Sequence, residues 1–285
     1  MTQTVNDVTA ENSSRYVSTP TYRIHYYEVG TGDPVILLHG SGPGATGWSN
    51  FQHNIPVLSR THRVLAIDMP GWGESDPQTH EKGYDHPAAL LEFLDALDLP
   101  NVALVGNSMG GTTALEFALK HPERVSKVIA MGVPFPGVNY FSAADGPSEG
   151  QRILQEAYEV PTAENMKRLV RVMCFDKSMA TDELSALRSA AVEAHPEHRE
   201  SYLARPTARP YFGLGADFKT LLVPVLAIHG RDDRVVHYEN SIRLVGTVPN
   251  SRLLLVNRCG HWVQIEHATE FNRVALDFLT GEATN

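Results

Sequence analysis

Gly106-Asn107-Ser108-Met109-Gly110 places a serine in a G-x-S-x-G setting, the strongest candidate nucleophile in the chain. Composition alone gives roughly 0.1 such matches by chance, so the surroundings carry the weight. The apolar run Val102 to Val105 precedes it, and a helix-forming stretch opening with Gly110 and Gly111 follows. A serine on a tight strand-to-helix turn sits in a strained backbone, needs small neighbours and points its hydroxyl out at the carboxyl end of a sheet. That hydroxyl is a poor nucleophile until a base takes its proton, so a histidine and an orienting carboxylate are required. Asp233, in His229-Gly230-Arg231-Asp232-Asp233, and His261, in Cys259-Gly260-His261, each follow a strand-like run later in the chain. Spacing alone leaves Asp232 open as the acid. Glycines let a backbone approach a reacting oxygen closely. In His39-Gly40-Ser41-Gly42-Pro43-Gly44 the Ser41 N–H is then one oxyanion donor, with the Met109 N–H beside the nucleophile as the other. His39 itself reads as structural, and Cys259, without a second histidine nearby, as packing.

Such groups need a scaffold. Apolar runs at Tyr22 to Val29 (an edge strand), Val35 to His39, Val64 to Asp68, Val102 to Val105 and Val125 to Met131 read as strands. Between them the spacing predicts helices from Trp48 towards Leu58, kinked or shortened at Pro56, through Leu90 to Leu97, and from Ser108 to His121. Alternation of this kind implies a mostly parallel sheet covered on both faces. It stops between Pro134 and Leu221, where only helical stretches appear, at Gln151 to Glu159, Glu164 to Met173 and Asp182 to Ala194. It resumes with strand Val223 to Ile228, a helix near Asn240 to Val245, strand Arg252 to Val256 and a last helix from Thr269 to Leu279. Residues 1–133 and 222–285 therefore form an α/β core domain, and 134–221 a helical cap. Within that cap, Arg188 falls on the stripe made by Leu184, Leu187 and Ala191. An arginine on a buried face calls for an anion.

Composition narrows the partners. Twenty-four Lys and Arg against 33 Asp and Glu leave a net charge of -9, so no basic field attracts nucleic acid or an anionic membrane. The longest apolar stretches, such as Leu221 to Ile228, fall far short of the ~20 residues of a spanning helix. The first twenty residues lack the cationic start and apolar core of a secretory signal. Two cysteines, Cys174 and Cys259, form neither a CxxC pair nor a Cys/His cluster with metal spacing. A reducing cytoplasm is the expected location.

Four segments together carry a narrower signal. HGSGPGATGWSNF (His39 to Phe51), GNSMGG (Gly106 to Gly111), GRDDRVV (Gly230 to Val236) and RCGHWVQIEH (Arg258 to His267) resemble the meta-cleavage product hydrolases. These are α/β hydrolases that split carbon–carbon bonds in the vinylogous diketones formed by aromatic ring cleavage, and they share the chain order Ser, Asp, His. The resemblance spans nearly the whole core. It implies an α/β-hydrolase fold with a helical cap insertion, Asp233 rather than Asp232 as the triad acid, and a pocket lined by Gly42, Asn50, Asn107, Phe175 and Trp262. It further implies that Arg188 grips the carboxylate of a small dienoate substrate, that no metal or other cofactor takes part, and that the enzyme is a homo-oligomer. Ser41 stands where the family often has glycine, and the cap around FDKSMATDELSALR matches less well. The expected reaction splits 2-hydroxy-6-oxohexa-2,4-dienoate type substrates into 2-hydroxypenta-2,4-dienoate and a carboxylic acid. The alternatives are a carboxylesterase using the same triad, or a non-catalytic small-molecule receptor.

Overall fold

Along Pro34–Leu38, Val35 and Leu37 enter one hydrophobic cluster and Ile36 and Leu38 another, so this strand is buried on both faces. Leu104 divides from Ala103 and Val105 in the same way. Strands buried twice over belong to a parallel sheet with helices on each side. The computed structural model describes residues 8–79, 85–138, 140–142, 146–205 and 216–281. The first seven residues of the polar start, and 206–215 of the expected cap, lie outside these. Eight strands make one sheet: β1 (Ser14–Ser18), β2 (Arg23–Val29), β3 (Pro34–Leu38), β4 (Arg63–Ile67), β5 (Val102–Asn107), β6 (Val125–Met131), β7 (Val225–Gly230) and β8 (Ser251–Val256). Their order is β1-β2-β4-β3-β5-β6-β7-β8, with β1–β2 and β2–β4 antiparallel and the remaining pairs parallel.

A short helix, α1 (Ala10–Ser13), precedes β1, and α2 (Gly47–Phe51) and α3 (Ile55–Leu58) follow β3. Next come α4 (His86–Ala96) and α5 (Met109–Lys120) on either side of β5. Between β6 and β7 run α6 (Glu149–Glu159), α7 (Ala163–Met173), α8 (Asp182–Ala194) and α9 (Pro196–Leu203). Then α10 (Glu239–Thr247) joins β7 to β8, and α11 (Val263–Glu266) and α12 (Ala268–Thr280) complete the fold. Phe93 and Leu94 of α4, Leu115 and Phe117 of α5 and Leu244 of α10 cover one face of the sheet. Phe51, Ile55 and Leu58, with Phe271 and Ala275 of α12, cover the other. Helices α6 to α8 share a third cluster, including Leu154, Tyr158, Leu169, Met173 and Val192, which continues into Val235, Val236 and Trp262. Ser148, Thr162 and Thr181 cap these three helices by accepting from the N–H of Gln151, Asn165 and Leu184.

Several expectations shift. Tyr22 to Val29 is not the edge: the polar, half-exposed β1 pairs outside it and has no apolar run to betray it. Pro56 does not kink a continuous helix but sits in the first turn of α3, where its missing N–H costs no hydrogen bond. Strand β7 starts at Val225, because Pro224 has no N–H for the ladder. Helix α9, opened by Pro196, was not foreseen. Leu187 is 62% exposed, and α8 turns Ser185, Arg188, Ser189 and Val192 inward instead.

Glycine is enforced where β5 meets α5. A Cβ on Gly110 would lie 2.1 Å from Leu38 O, and one on Gly106 2.3 Å from Gly110 C. Gly246, exposed in α10, would meet nothing within 4 Å. Urea denaturation should therefore show Gly110→Ala destabilised by about 3 kcal/mol or more, or unfolded. In the same assay Gly246→Ala should gain about 0.5–1 kcal/mol from helix propensity.

Candidate active site

The segments that follow the carboxyl ends of β3, β5, β7 and β8 converge on one cavity. Ser108 occupies the single residue between β5 and α5, with φ 52° and ψ -115°, a left-handed conformation that strains any residue with a Cβ. Its N–H donates to Met131 O at 2.7 Å, and its carbonyl accepts from Thr112 N–H at 2.9 Å, so the turn is held from both sides. Met109 opens α5, whose first N–H groups have no partner within the helix. Opposite, the loop after β3 is pinned by His39, whose Nδ1 donates to Gly40 O at 2.8 Å while Nε2 accepts from Met69 N–H at 2.9 Å. Burial lowers the His39 pKa, consistent with this neutral, structural imidazole. Tyr158, from α6, donates to Ser41 O at 2.7 Å and accepts from Trp72 Nε1 at 3.0 Å, fixing the same loop from the side of the helices between β6 and β7.

Asp233, and not Asp232, holds His261: His261 Nδ1 donates to Asp233 Oδ2 at 2.7 Å. Asp232 turns towards Arg231, 3.7 Å away. The other oxygen of Asp233 accepts from Val235 N–H at 2.7 Å and Val236 N–H at 3.0 Å. Burial alone would raise the Asp233 carboxyl, but the adjacent His261 and the hydrogen bonds from His229 and His261 outweigh it and hold the carboxyl well below the usual range. Gly132, at φ +55°, makes room, since a Cβ there would lie 2.8 Å from the His261 ring. The His261 N–H donates to Met173 O at 2.6 Å and its carbonyl accepts from Asn107 Nδ2 at 3.1 Å, so backbone contacts orient it as well.

The cavity spans about 320 Å³, part of it open to solvent. Ser41, Gly42, Asn50, Asn107, Ser108, Arg188, His261 and Trp262 line it together. Phe175 does not join them. It is 37% exposed beneath the Arg258 guanidinium, and Met173, in the last turn of α7, takes the lining position. Leu154 and Val235 add apolar surface that the spacing did not single out. Arg188, 7% exposed, donates from Nη2 to Pro43 O at 2.8 Å and stands 5.3 Å from the Trp262 ring centroid, while its Nε has no partner. Burial pushes its pKa down to about 10, against opposing contributions from Tyr158 and Cys174, so the group stays charged near neutrality. No ion pair among the described residues includes it. Burial also pushes up the thiols of Cys259 and Cys174, the latter to about 12, leaving neither poised as a nucleophile.

A family model described as alpha/beta hydrolase fold matches residues 33–268, and the chain belongs to that family. A 2-hydroxy-6-oxononadienedioate/2-hydroxy-6-oxononatrienedioate hydrolase from Cupriavidus pinatubonensis is 39% identical over 98% of this chain and 99% of its own. A 2-hydroxy-6-oxo-6-phenylhexa-2,4-dienoate hydrolase from Burkholderia cepacia is 40% identical over 90% of this chain and 91% of its own. A solved meta-cleavage product hydrolase from Pseudomonas fluorescens IP01 superposes with a TM-score of 0.83 at 34% identity, covering 93% of this chain and 97% of that one. Within the α/β hydrolases, the chain is a member of the meta-cleavage product hydrolases.

His229 was not foreseen at all. Fully buried at the end of β7, it points Nε2 at Asp233 Oδ2 (3.1 Å) and Val236 O (2.8 Å), while Nδ1 meets Ser241 Oγ at 2.7 Å. Both partners of Nε2 only accept, so that nitrogen carries a proton and donates to Asp233. A histidine four residues before the acid, at the end of an apolar run, was the only sequence signal. Replacing it with Phe should leave Asp233 more basic towards His261. The acid limb of the kcat/KM profile should then move up by about half a pH unit or more, and Gln, which keeps a donor, should restore it.

Proposed function

We propose that this enzyme hydrolyses 2-hydroxy-6-oxohexa-2,4-dienoate type substrates to 2-hydroxypenta-2,4-dienoate and a carboxylic acid. Arg188 carries the reading: a buried guanidinium without a carboxylate partner among the described residues, lining the same cavity as Ser108 and His261. Burying a cation unpaired is costly, so an anionic ligand fits the site. Leu154, Met173, Val235 and Trp262 supply apolar surface for the remainder of the substrate. Residues 134–221 act as a cap closing this cavity over the core formed by 1–133 and 222–285.

In this mechanism the dienol is first converted to its keto tautomer, a proton leaving the C2 hydroxyl and one arriving at C5. Ser108 Oγ then attacks the C6 ketone as His261 takes its proton, and Asp233 stabilises the resulting imidazolium. The N–H groups of Ser41 and Met109 hold the oxyanion. The C5–C6 bond breaks towards C5, and its electrons delocalise through C3=C4 onto the C2 carbonyl, giving the dienol product after protonation. Water, activated by His261, releases the acid from Ser108. Arg188 and Asn50 favour charge at the carboxylate end. No step requires a metal or another cofactor. The two free, buried cysteines suit a cytoplasmic setting, and the resemblance supports a homo-oligomer, which sedimentation would measure. No helix among the described residues is long and apolar enough to cross a membrane.

A panel of yellow ring-cleavage products set against simple aryl esters tests the reaction, and preference for the esters would reverse the assignment. On that panel, Arg188→Gln should reduce kcat/KM for the dienoate by about 100-fold, as expected for losing a charge-assisted bond worth ~3 kcal/mol. It should leave hydrolysis of a neutral ester within a few-fold of wild type. Equal losses would give Arg188 a purely structural role.

Removing a triad residue costs on the order of 10⁴ to 10⁶ in rate, so Ser108→Ala should lose cleavage to that extent. In stopped-flow single turnovers it should still shift the dienoate spectrum rapidly, because ketonisation needs no nucleophile. His261→Ala should slow both phases. A wild-type first phase in His261→Ala would require another base.

A further inference from the structure

Far along the chain from the triad, His198 carries a buried nitrogen without a hydrogen-bond partner. Only 8% exposed in the first turn of α9, it donates from Nε2 to Gly73 O at 3.0 Å, in the loop between β4 and α4, while Nδ1 is unpaired. A carbonyl only accepts, so the proton is on Nε2, and in the neutral imidazole Nδ1 presents a lone pair. His195 stacks on it, with ring centroids 5.1 Å apart and planes 22° apart. Its Nδ1 lies 3.3 Å from Glu197 Oε1, and its Nε2 3.2 Å from Glu74 Oε1. One ligand atom from each of His195, Glu197 and His198 falls within 4.8 Å of the other two.

We propose that His195, Glu197 and His198 form a binding site for a divalent transition metal of the zinc class. Metal-bound imidazoles characteristically anchor their far N–H on a carbonyl or carboxylate, and Gly73 O and Glu74 stand in those positions here. A tetrahedral ion with bonds of about 2.0–2.1 Å holds its ligands about 3.4 Å apart, which His195 Nδ1 and Glu197 Oε1 already satisfy. The side chains of Glu197 and His195 are 48% and 27% exposed, so His195 is free to turn out of its stack and, with Glu197, close the remaining gap towards His198. Because the outer partners belong to the core, the ion ties the last cap helix to the β4–α4 loop. Two imidazoles and one carboxylate select zinc, nickel or cobalt over magnesium or calcium.

Titration calorimetry of chelator-treated protein with Zn²⁺ tests this, alongside Co²⁺ absorption. One ion should bind per chain with a tetrahedral Co²⁺ spectrum, and His195→Ala and Glu197→Gln should each weaken binding by about 100-fold. Zn²⁺ should raise the Tm of the unsubstituted protein and not of these variants. His261→Ala should retain the ion, which separates this site from the triad histidine. Absence of binding, or equal binding by His195→Ala and Glu197→Gln, would overturn the proposal. Neither variant removes the buried bond from His198 to Gly73, so folding is not put at risk.

Discussion

A carboxylate sealed away from water must have its oxygens satisfied, and Asp233 meets that demand with two backbone N–H groups on one oxygen and two imidazoles on the other. Leaving such a charge unpaired would cost several kcal/mol. The surrounding backbone is arranged to avoid this. Gly132 leaves space for the His261 ring, and a Cβ on Gly230 would lie 2.0 Å from Gly260 O, so the loop bearing His261 can close on the end of β7. That loop is then fastened to the end of α7 through Met173 O and to the turn bearing Ser108 through Asn107. The order of the reactive groups follows from pairing one buried charge.

The proposed substrate anchor and the proposed oxyanion donor meet in the loop after β3. Arg188, from α8, donates to Pro43 O, and Tyr158, from α6, donates to Ser41 O two residues earlier. Helices α6 and α8 thus set the backbone that carries the proposed Ser41 donor. On the proposed reading, a change in how these helices seat would be felt at that donor without any movement of Ser108, Asp233 or His261, an arrangement in which distant groups govern positioning at the chemistry.

The core was legible because its determinants are local. Buried strands are short apolar runs, and the glycines around Ser108 are dictated by backbone approach, so β3 to β7 and the nucleophile turn could be read directly. Asp232 and Asp233 could not be separated by spacing, since only folding shows which of two adjacent carboxylates meets His261. Strand β1 stayed hidden because a half-exposed edge has no apolar signature. Leu187 misled because helical periodicity ranks faces by apolarity, whereas α8 buries Ser185, Arg188 and Ser189. His229, Tyr158 and Met173 owe their places to partners distant in sequence or on another element, and Phe175 shows that a family position can be displaced by a turn at a helix end.

The inverted face of α8 has one more consequence. Ser189 satisfies itself on Pro161 O and Ser185 on Thr181 O, leaving Val192 as the only fully apolar residue among the four turned inward. Beside Val192 only the partly buried Leu184 of this helix packs against the third cluster, and segments with few buried apolar side chains open more readily than core elements. The anion proposed for Arg188 would add to that packing and stabilise the seated helix by mass action. On the proposed reading the carboxylate would complete a folding unit, so that the exchange of α8 amides with solvent would report occupancy of the pocket beside it.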